Sequence, residues 1–378
     1  MKDPKDLNDA HQRAPGGLTV AALVEAASPV PLEEPPVGEV GRSLERAPRL
    51  RAVGDFASMA MDRMDLRRAG HERPIPLPWP KLATALGGGL WPGLYTLTGG
   101  TGSGKSQMAM QLALHAARSH VPVLYVGLEL GEVDLVARLV GLLQGRRWSQ
   151  YYLGREQVPR AETSQALNGL PLYLEVGPPM GWSYTSLFER VVQLRELYPQ
   201  EQRGALPMLI VVDFLQLVAS PPGVREDLRE RIGRAAYAGR AVARDLDAAV
   251  LMVSSTAREN YGTMGGEAEG RGPKLGEGNP SRLVGTGKES GEIEYSADGA
   301  LVLTTEPWKT NKPPEDGTRC WLALAKGRAV IPTWIPMLFD GNRFLEPIIP
   351  WTSSLTQVSS SAVPKAARTA SPEETDDT

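Results

Sequence analysis

The feature that most constrains this chain is a run of eight residues, Gly99, Gly100, Thr101, Gly102, Ser103, Gly104, Lys105 and Ser106. An apolar, β-rich stretch from Leu94 to Thr98 precedes it and an amphipathic stretch with helical spacing, Lys105 to Arg118, follows it. Glycines at these spacings between a strand and a helix form the pattern of a phosphate-binding loop. They let backbone N–H groups curl around phosphate oxygens at a helix N-terminus. Lys105 then reaches the β- and γ-phosphates, and Ser106 offers a hydroxyl to Mg²⁺. The ligands expected from these residues are ATP and Mg²⁺.

Such a loop requires a layered sheet around it, and the rest of the chain supplies one. Short apolar runs at Leu94 to Thr98, Val123 to Glu129, Leu172 to Val176, Met208 to Asp213, Ala249 to Ser254, Ala300 to Thr304 and Trp321 to Ala325 alternate with helical segments. The clearest helices are Lys105 to Arg118, Val133 to Leu143, Tyr184 to Tyr198 and Arg225 to Leu246. Runs with no polar alternation are strands covered on both faces, so the expected class is α/β: a mainly parallel, twisted sheet flanked by helices.

Two of these strands end in carboxylates where a nucleotide site needs them. Met208 to Asp213 delivers Asp213, the candidate partner of Ser106 in holding the metal, and Val123 to Glu129 delivers Glu129, the candidate for orienting water. The four histidines have no metal-ligand spacing, so no metal beyond Mg²⁺ is expected. The single cysteine, Cys320, can form no internal disulfide and reads as core packing in a reducing compartment.

Composition sets the ends and the compartment. Residues 1–50 include a Pro-rich stretch, Ser28 to Pro36, and residues 351–378 are rich in Ser, Thr and Ala with an acidic close. Neither can bury enough apolar area to offset ordering entropy, so both are expected to be disordered. Between them, 51–75 reads as a linker helix, with Asp55 as its cap and Phe56, Met59, Ala60, Arg63 and Met64 as one stripe, and 76–350 as one ATPase domain. The net charge of −3 gives no global signal for nucleic acid, so any such contact must come from locally placed Lys and Arg. The apolar run from Leu18 to Val24 is too short to span a bilayer, which points to a cytoplasmic protein without membrane contact.

Taken in order, these segments resemble the C-terminal motor domain of DnaB-type replicative helicases, which are RecA-like P-loop ATPases. Leu86 to Gly93 is similar to the family's glycine-rich lead into the first strand. Gly127 to Leu130 is similar to its catalytic-glutamate segment, and Asp213 to Leu217 to its Asp-Tyr-Leu-Gln motif. Lys288 to Glu294, with Ala297 and Asp298, resembles its Arg-Glu-Ser-Gly-Ser-Ile-Glu stretch, and Lys326 and Arg328 resemble the pair that members insert into the neighbouring subunit's ATP site. The resemblance implies a homo-hexameric ring translocating on single-stranded DNA. Catalytic roles would fall to Glu129, Lys105, Asp213, Arg328 and Lys326, and Lys288, Glu289 and Gly291 would face nucleic acid in the pore.

Three departures bear on function. No counterpart of the DnaB N-terminal domain is seen ahead of the linker helix, which leaves the Pro-rich arm as the expected contact for replication or mobile-element partners. Ser255 stands where the family carries a γ-phosphate-sensing Gln, and Lys288 stands where it carries Arg, keeping the charge without the fork geometry. The second favours an alternative reading, a RecA/KaiC-like ATPase that does not unwind; a nucleotide-dependent loader or adaptor is a further alternative. Ten glycines from Gly262 to Gly291 imply a long inserted loop carrying Lys288. Arg225, Arg229, Arg231 and Arg234 read as a solvated helix face paired with Glu226, Asp227 and Glu230.

Overall fold

A computed structural model describes residues 52–177, 182–199, 206–256, 276–285, 291–306, 317–328 and 330–348. The arm over 1–50, the tail over 351–378, and Lys288 and Glu289 lie outside these residues. The chain divides into two units at Asp62. The first contributes only the opening turns of helix α1 (Gly54–Arg68) to the described residues. No residue of α1 is buried, and Asp55 lies inside its first turn, its carboxylate accepting from the Ala52 N–H at 3.0 Å. The expected cap is therefore one residue out of place. The expected apolar stripe is exposed at Phe56, Met59 and Met64.

The second unit is built on one nine-stranded sheet. In chain order it comprises α2 (Pro80–Ala85), β1 (Gly93–Gly99), α3 (Lys105–Arg118), β2 (Val123–Gly127), α4 (Glu132–Gln144), α5 (Trp148–Tyr152), α6 (Arg160–Leu167), β3 (Leu172–Val176), α7 (Tyr184–Leu197) and β4 (Met208–Asp213). Then come α8 (Leu228–Asp245), β5 (Ala248–Ser255), α9 (Gly291–Ser296), β6 (Gly299–Thr305), β7 (Thr318–Gly327), β8 (Thr333–Phe339) and β9 (Phe344–Leu345). The strand order is β3-β2-β4-β5-β1-β6-β7-β8-β9. All pairs from β3 to β6 are parallel and those from β6 to β9 antiparallel.

Side-chain alternation along the strands feeds two cores. Val123 and Tyr125 point with Leu209, Val211 and Leu251 into the layer under α3, whose Met108, Leu112 and Ala116 are buried there. Leu124 and Val126 point with Ile210, Val212 and Val250 to the opposite layer, against Leu187 and Val191 of α7 and Ile232 and Ala236 of α8. Two covered faces are the reason these strands carry uninterrupted apolar runs. Cys320 is fully buried in β7, as expected, and burial pushes its thiol up to about 12.

The lead into β1 is fixed by backbone contact. Ile75 and Leu90 form an antiparallel bridge, and a Cβ on Gly89 would lie 2.1 Å from the Ile75 carbonyl oxygen. With φ at +153° as well, only glycine serves there.

Candidate nucleotide site

The parallel strands bring the expected site residues to one edge. Gly99 ends β1 beside Ser255 of β5, and Asp213 ends β4 beside Gly127 of β2, with Glu129 two residues further on. Bonds across this edge tie it together: the Leu128 N–H donates to the Asp213 carbonyl at 2.7 Å, and the Thr256 N–H to the Gly99 carbonyl at 3.1 Å. Ligands of open α/β sheets bind at this edge, beyond the carboxyl ends of the strands.

The loop from Gly99 to Gly104 runs from β1 into α3. Gly104 sits in the left-handed region at φ +92°, and a Cβ there would come within 2.8 Å of the Phe344 ring. The Ser103 hydroxyl is buried without a hydrogen-bond partner, an orphan donor of the kind a phosphate oxygen satisfies. Lys105 is 8 % exposed, and its ammonium donates to the carbonyls of Gly99 at 3.0 Å and Gly100 at 2.8 Å. Burial lowers its pKa, with the charges of Asp213 and Glu129 opposing. A buried ammonium held only by carbonyls has a strong reason to accept a phosphate instead.

Beside it, the Ser106 hydroxyl donates to Asp213 Oδ1 at 3.2 Å and the Tyr125 hydroxyl to Asp213 Oδ2 at 2.7 Å. Asp213 is 1 % exposed. Burial raises its pKa, opposed by the hydrogen bonds from Tyr125 and Ser106 and by the charges of Arg138 and Lys105. A hydroxyl and a carboxylate side by side are hard oxygen donors suited to Mg²⁺, so the residues present fit that ion. Glu129 is exposed and lines the same cleft, of about 520 Å³, as Lys105, Ser106, Arg138 and Ser255.

Two members of this site were not legible beforehand. Tyr125 lies mid-strand, where only the pairing of β2 with β4 brings its hydroxyl to Asp213. Arg138 sits on α4, and its Nη1 donates to Gln107 Oε1 at 2.9 Å while its guanidinium stacks 4.1 Å over the Trp148 ring. Its Nε is buried without a partner, and among the described residues no carboxylate pairs with it. The available signal was an Arg three residues after Leu135 and four before Leu142, on the face of the helix that packs inward.

Ser255 does line the cleft, and next to it the amide of Gln216 donates to the Ser254 hydroxyl at 2.7 Å. The Gln of the Asp213 to Leu217 segment thus reaches the β5 terminus. Around the α8 start, Asp227 caps the helix in a capping box with Glu230, and Arg234 pairs with Glu226 at 2.5 Å. The pairing of Arg234 with Glu226 is as expected, but the Glu226 side chain is buried rather than solvated, Asp227 and Glu230 cap the helix, and the Arg231 Nε is buried without a hydrogen-bond partner.

Lys326 and Arg328 are not brought to this cleft. They flank Gly327, the last residue of the antiparallel strand β7, which pairs with Gly299 at the start of β6. Arg328 pairs with Asp298 Oδ1 at 2.7 Å, and Asp298 Oδ2 accepts from the Leu94 N–H at the start of β1. The phosphate loop begins at the other end of that seven-residue strand, about 20 Å away at the usual rise per residue. Lys326 donates to the Glu294 carbonyl at 3.4 Å, and Glu294 in turn accepts from the Gly285 N–H. Of the pore residues, Gly291 opens α9, and Lys288 and Glu289 fall outside the described residues.

A phosphate loop at the end of a central parallel strand, with a buried strand-end carboxylate and a glutamate beside it, defines a RecA-like P-loop nucleoside triphosphatase fold. The chain belongs to the DnaB-like helicase C-terminal domain family, whose sequence pattern it matches over residues 79–344. It is a DnaB-type helicase motor domain, and the family implies NTP hydrolysis and the use of a nucleotide with Mg²⁺. Two solved structures share the fold. One, described as an "ATPase Domain", is 16 % identical with a TM-score of 0.62, covering 79 % of this chain and 100 % of that one. The other, "The Structure Of A DnaB-Like Replicative Helicase And Its Interactions With Primase", is 16 % identical with a TM-score of 0.60, covering 82 % of this chain and 72 % of that one. No curated protein sequence matches the chain. Among the described residues, no helix is long and apolar enough to cross a membrane.

Proposed function

We propose that this chain is the subunit of a ring, a homo-hexamer in the family's manner, that hydrolyses ATP and moves along single-stranded DNA in the cytoplasm. The observation that carries the reading is the position of Arg328, at the end of β1 opposite the phosphate loop. An arginine there can serve hydrolysis only at a second subunit's nucleotide, so subunits must meet head to tail, a heterologous contact that repeats into a ring or filament.

Within one subunit, Lys105 and the loop N–H groups grip the phosphates, and Ser106 and Asp213 hold Mg²⁺, which neutralises charge on the transferring phosphoryl group when bound. Glu129 orients the attacking water, a role its exposure in the same cleft allows. Arg328 and Lys326 complete a neighbour's site. Lys288, Glu289 and Gly291 face the strand, where the Lys288 ammonium and backbone N–H groups contact phosphates rather than bases. Replication or mobile-element proteins are the proposed partners of the N-terminal arm.

Mixing tests the trans arrangement. Arg328→Ala and Lys105→Ala should each be nearly inactive alone, while a mixture recovers turnover at interfaces that join an intact loop to an intact finger. Two variants that stay inactive at every ratio despite co-assembly would sink the ring. Ser255 in the cleft favours a second reading, an ATPase of this fold that does not unwind. Strand displacement on forked substrates of both polarities separates the two.

A further inference from the structure

A second cleft, of about 530 Å³, opens between α8, the start of β1 and the end of β7. Arginines dominate its lining: Arg63, Arg67, Arg240, Arg244 and Arg328 stand there with the carboxylates of Asp247 and Asp298. Four of the arginines have carboxylate partners: Arg63 with Glu72 and Asp247, Arg67 with Glu72, Arg244 with Asp245, and Arg328 with Asp298. Arg240 differs. It is exposed, and its Nη1 donates at 2.6 Å to the backbone carbonyl of Ser296, a neutral acceptor. Among the described residues no carboxylate pairs with it.

Arg240 also stands close to the pair at the end of β7. Burial lowers the pKa of the Lys326 amine, and of the charges around it Asp298 opposes that shift while Arg240 and Arg328 add to it. Arg240 and Arg328 line the same cleft, where the Asp298 carboxylate is already paired with Arg328, so positive charge is in excess there and an added anion would be attracted. A suitable anion is compact and carries several charges. The nucleotide on this chain's own loop cannot supply it across the length of β1.

We propose that Arg240 is a third cation, beside Lys326 and Arg328, that contacts the terminal phosphates of the nucleotide held by a second copy of this chain. The proposal rests on the head-to-tail arrangement above and adds a residue to it. The single bond to the Ser296 carbonyl can be exchanged for charge-assisted, two-pronged bonds to phosphate oxygens, which are the stronger kind.

The test compares Arg240→Met with Arg240→Lys in the full chain. It reads ATP turnover, binding of a fluorescent ATP analogue, assembly by sedimentation, and recovery on mixing with Lys105→Ala. Arg240→Met should lose turnover on the order of tenfold to a hundredfold, less than a full arginine finger, with analogue affinity within about twofold of wild type. Arg240→Lys should keep most of the turnover, and mixing Arg240→Met with Lys105→Ala should restore part of it.

Wild-type turnover in Arg240→Met while Arg328→Ala is inactive overturns this proposal and leaves the ring standing. Wild-type turnover in both overturns the ring itself. A loss that Arg240→Lys shares in full, with a lower melting temperature and no recovery on mixing, makes Arg240 a prop for the Ser296 carbonyl and overturns the proposal too. So does a loss confined to single-strand binding, with a shallower salt dependence and unchanged DNA-free turnover, since the cleft would then hold a nucleic-acid backbone.

Discussion

Tyr125 holds Asp213 from the strand next door: its buried hydroxyl donates to Asp213 Oδ2 at 2.7 Å while Ser106 donates to the other oxygen. Burial pushes the Tyr125 hydroxyl well above its ordinary pKa, and the adjacent Asp213 charge adds to this, so it remains a donor at every working pH. The carboxylate is thereby fixed in plane and in rotation, with one oxygen turned toward the serine.

Tyr125→Phe removes that donor and nothing else of the side chain's bulk. Hydrogen bonds to charged groups contribute about 1.5–3 kcal/mol, so the nucleotide-free protein should lose stability of that order by chemical denaturation. The Mg²⁺ concentration needed for half-maximal nucleotide binding should rise as well. An unchanged Mg²⁺ requirement would make the bond a packing detail.

Asp213→Asn separates stability from function. Burial raises the pKa of Asp213, so its contribution to folding is fully present below the ordinary carboxylate range and is lost as pH rises through the raised value. The asparagine variant should therefore gain stability relative to wild type as pH goes from acid to neutral, while losing Mg²⁺-dependent nucleotide binding. Unfolding curves across that range check the sign, and a gain that grows toward acid pH would contradict it.

Lys105→Ala and Glu129→Gln should fail differently. The first removes the buried ammonium that faces the loop carbonyls and should abolish nucleotide binding. The second should keep binding and lose turnover, because it alters only the handling of water. Near-normal turnover in Glu129→Gln would move that role to another group in the cleft.

Gly104→Ala should be worse than an ordinary glycine substitution. It meets both a left-handed backbone, costing about 1–2 kcal/mol, and the Phe344 ring at 2.8 Å. Pairing it with Phe344→Leu tests the second part: because Phe344 is itself buried and stacked on Phe339, the double variant should be less destabilised than the sum of the two single variants. Strict additivity would put the whole glycine effect in the backbone.

The apolar runs were legible to within a residue or two wherever a strand is covered on both faces, as with Val123–Gly127 and Met208–Asp213. β8 was not legible, because Pro336 interrupts Thr333–Phe339 and proline argues against a strand. It is tolerated because β9 pairs only with Leu338 and Phe339, leaving Pro336 on an open edge where an N–H has no partner to lose. The expected helix from Arg225 begins three residues later, since Asp227 serves as its cap. The nucleotide loop and its two carboxylates could be read from local pattern. Tyr125, Arg138 and Arg240 could not, because each owes its position to a neighbour distant in sequence: Asp213, Gln107 and Ser296.

The placement of the loop and Arg328 at opposite ends of β1 makes every subunit directional, and this has an arithmetic consequence. With fingers acting in trans, an open row of subunits always has one terminal loop facing solvent and one terminal finger with nothing to serve. Closing the row converts those two leftovers into a working site. Open assemblies should thus be short by one site whatever their length, so the shortfall weighs most on small ones. Specific activity per subunit then reports whether the row has closed.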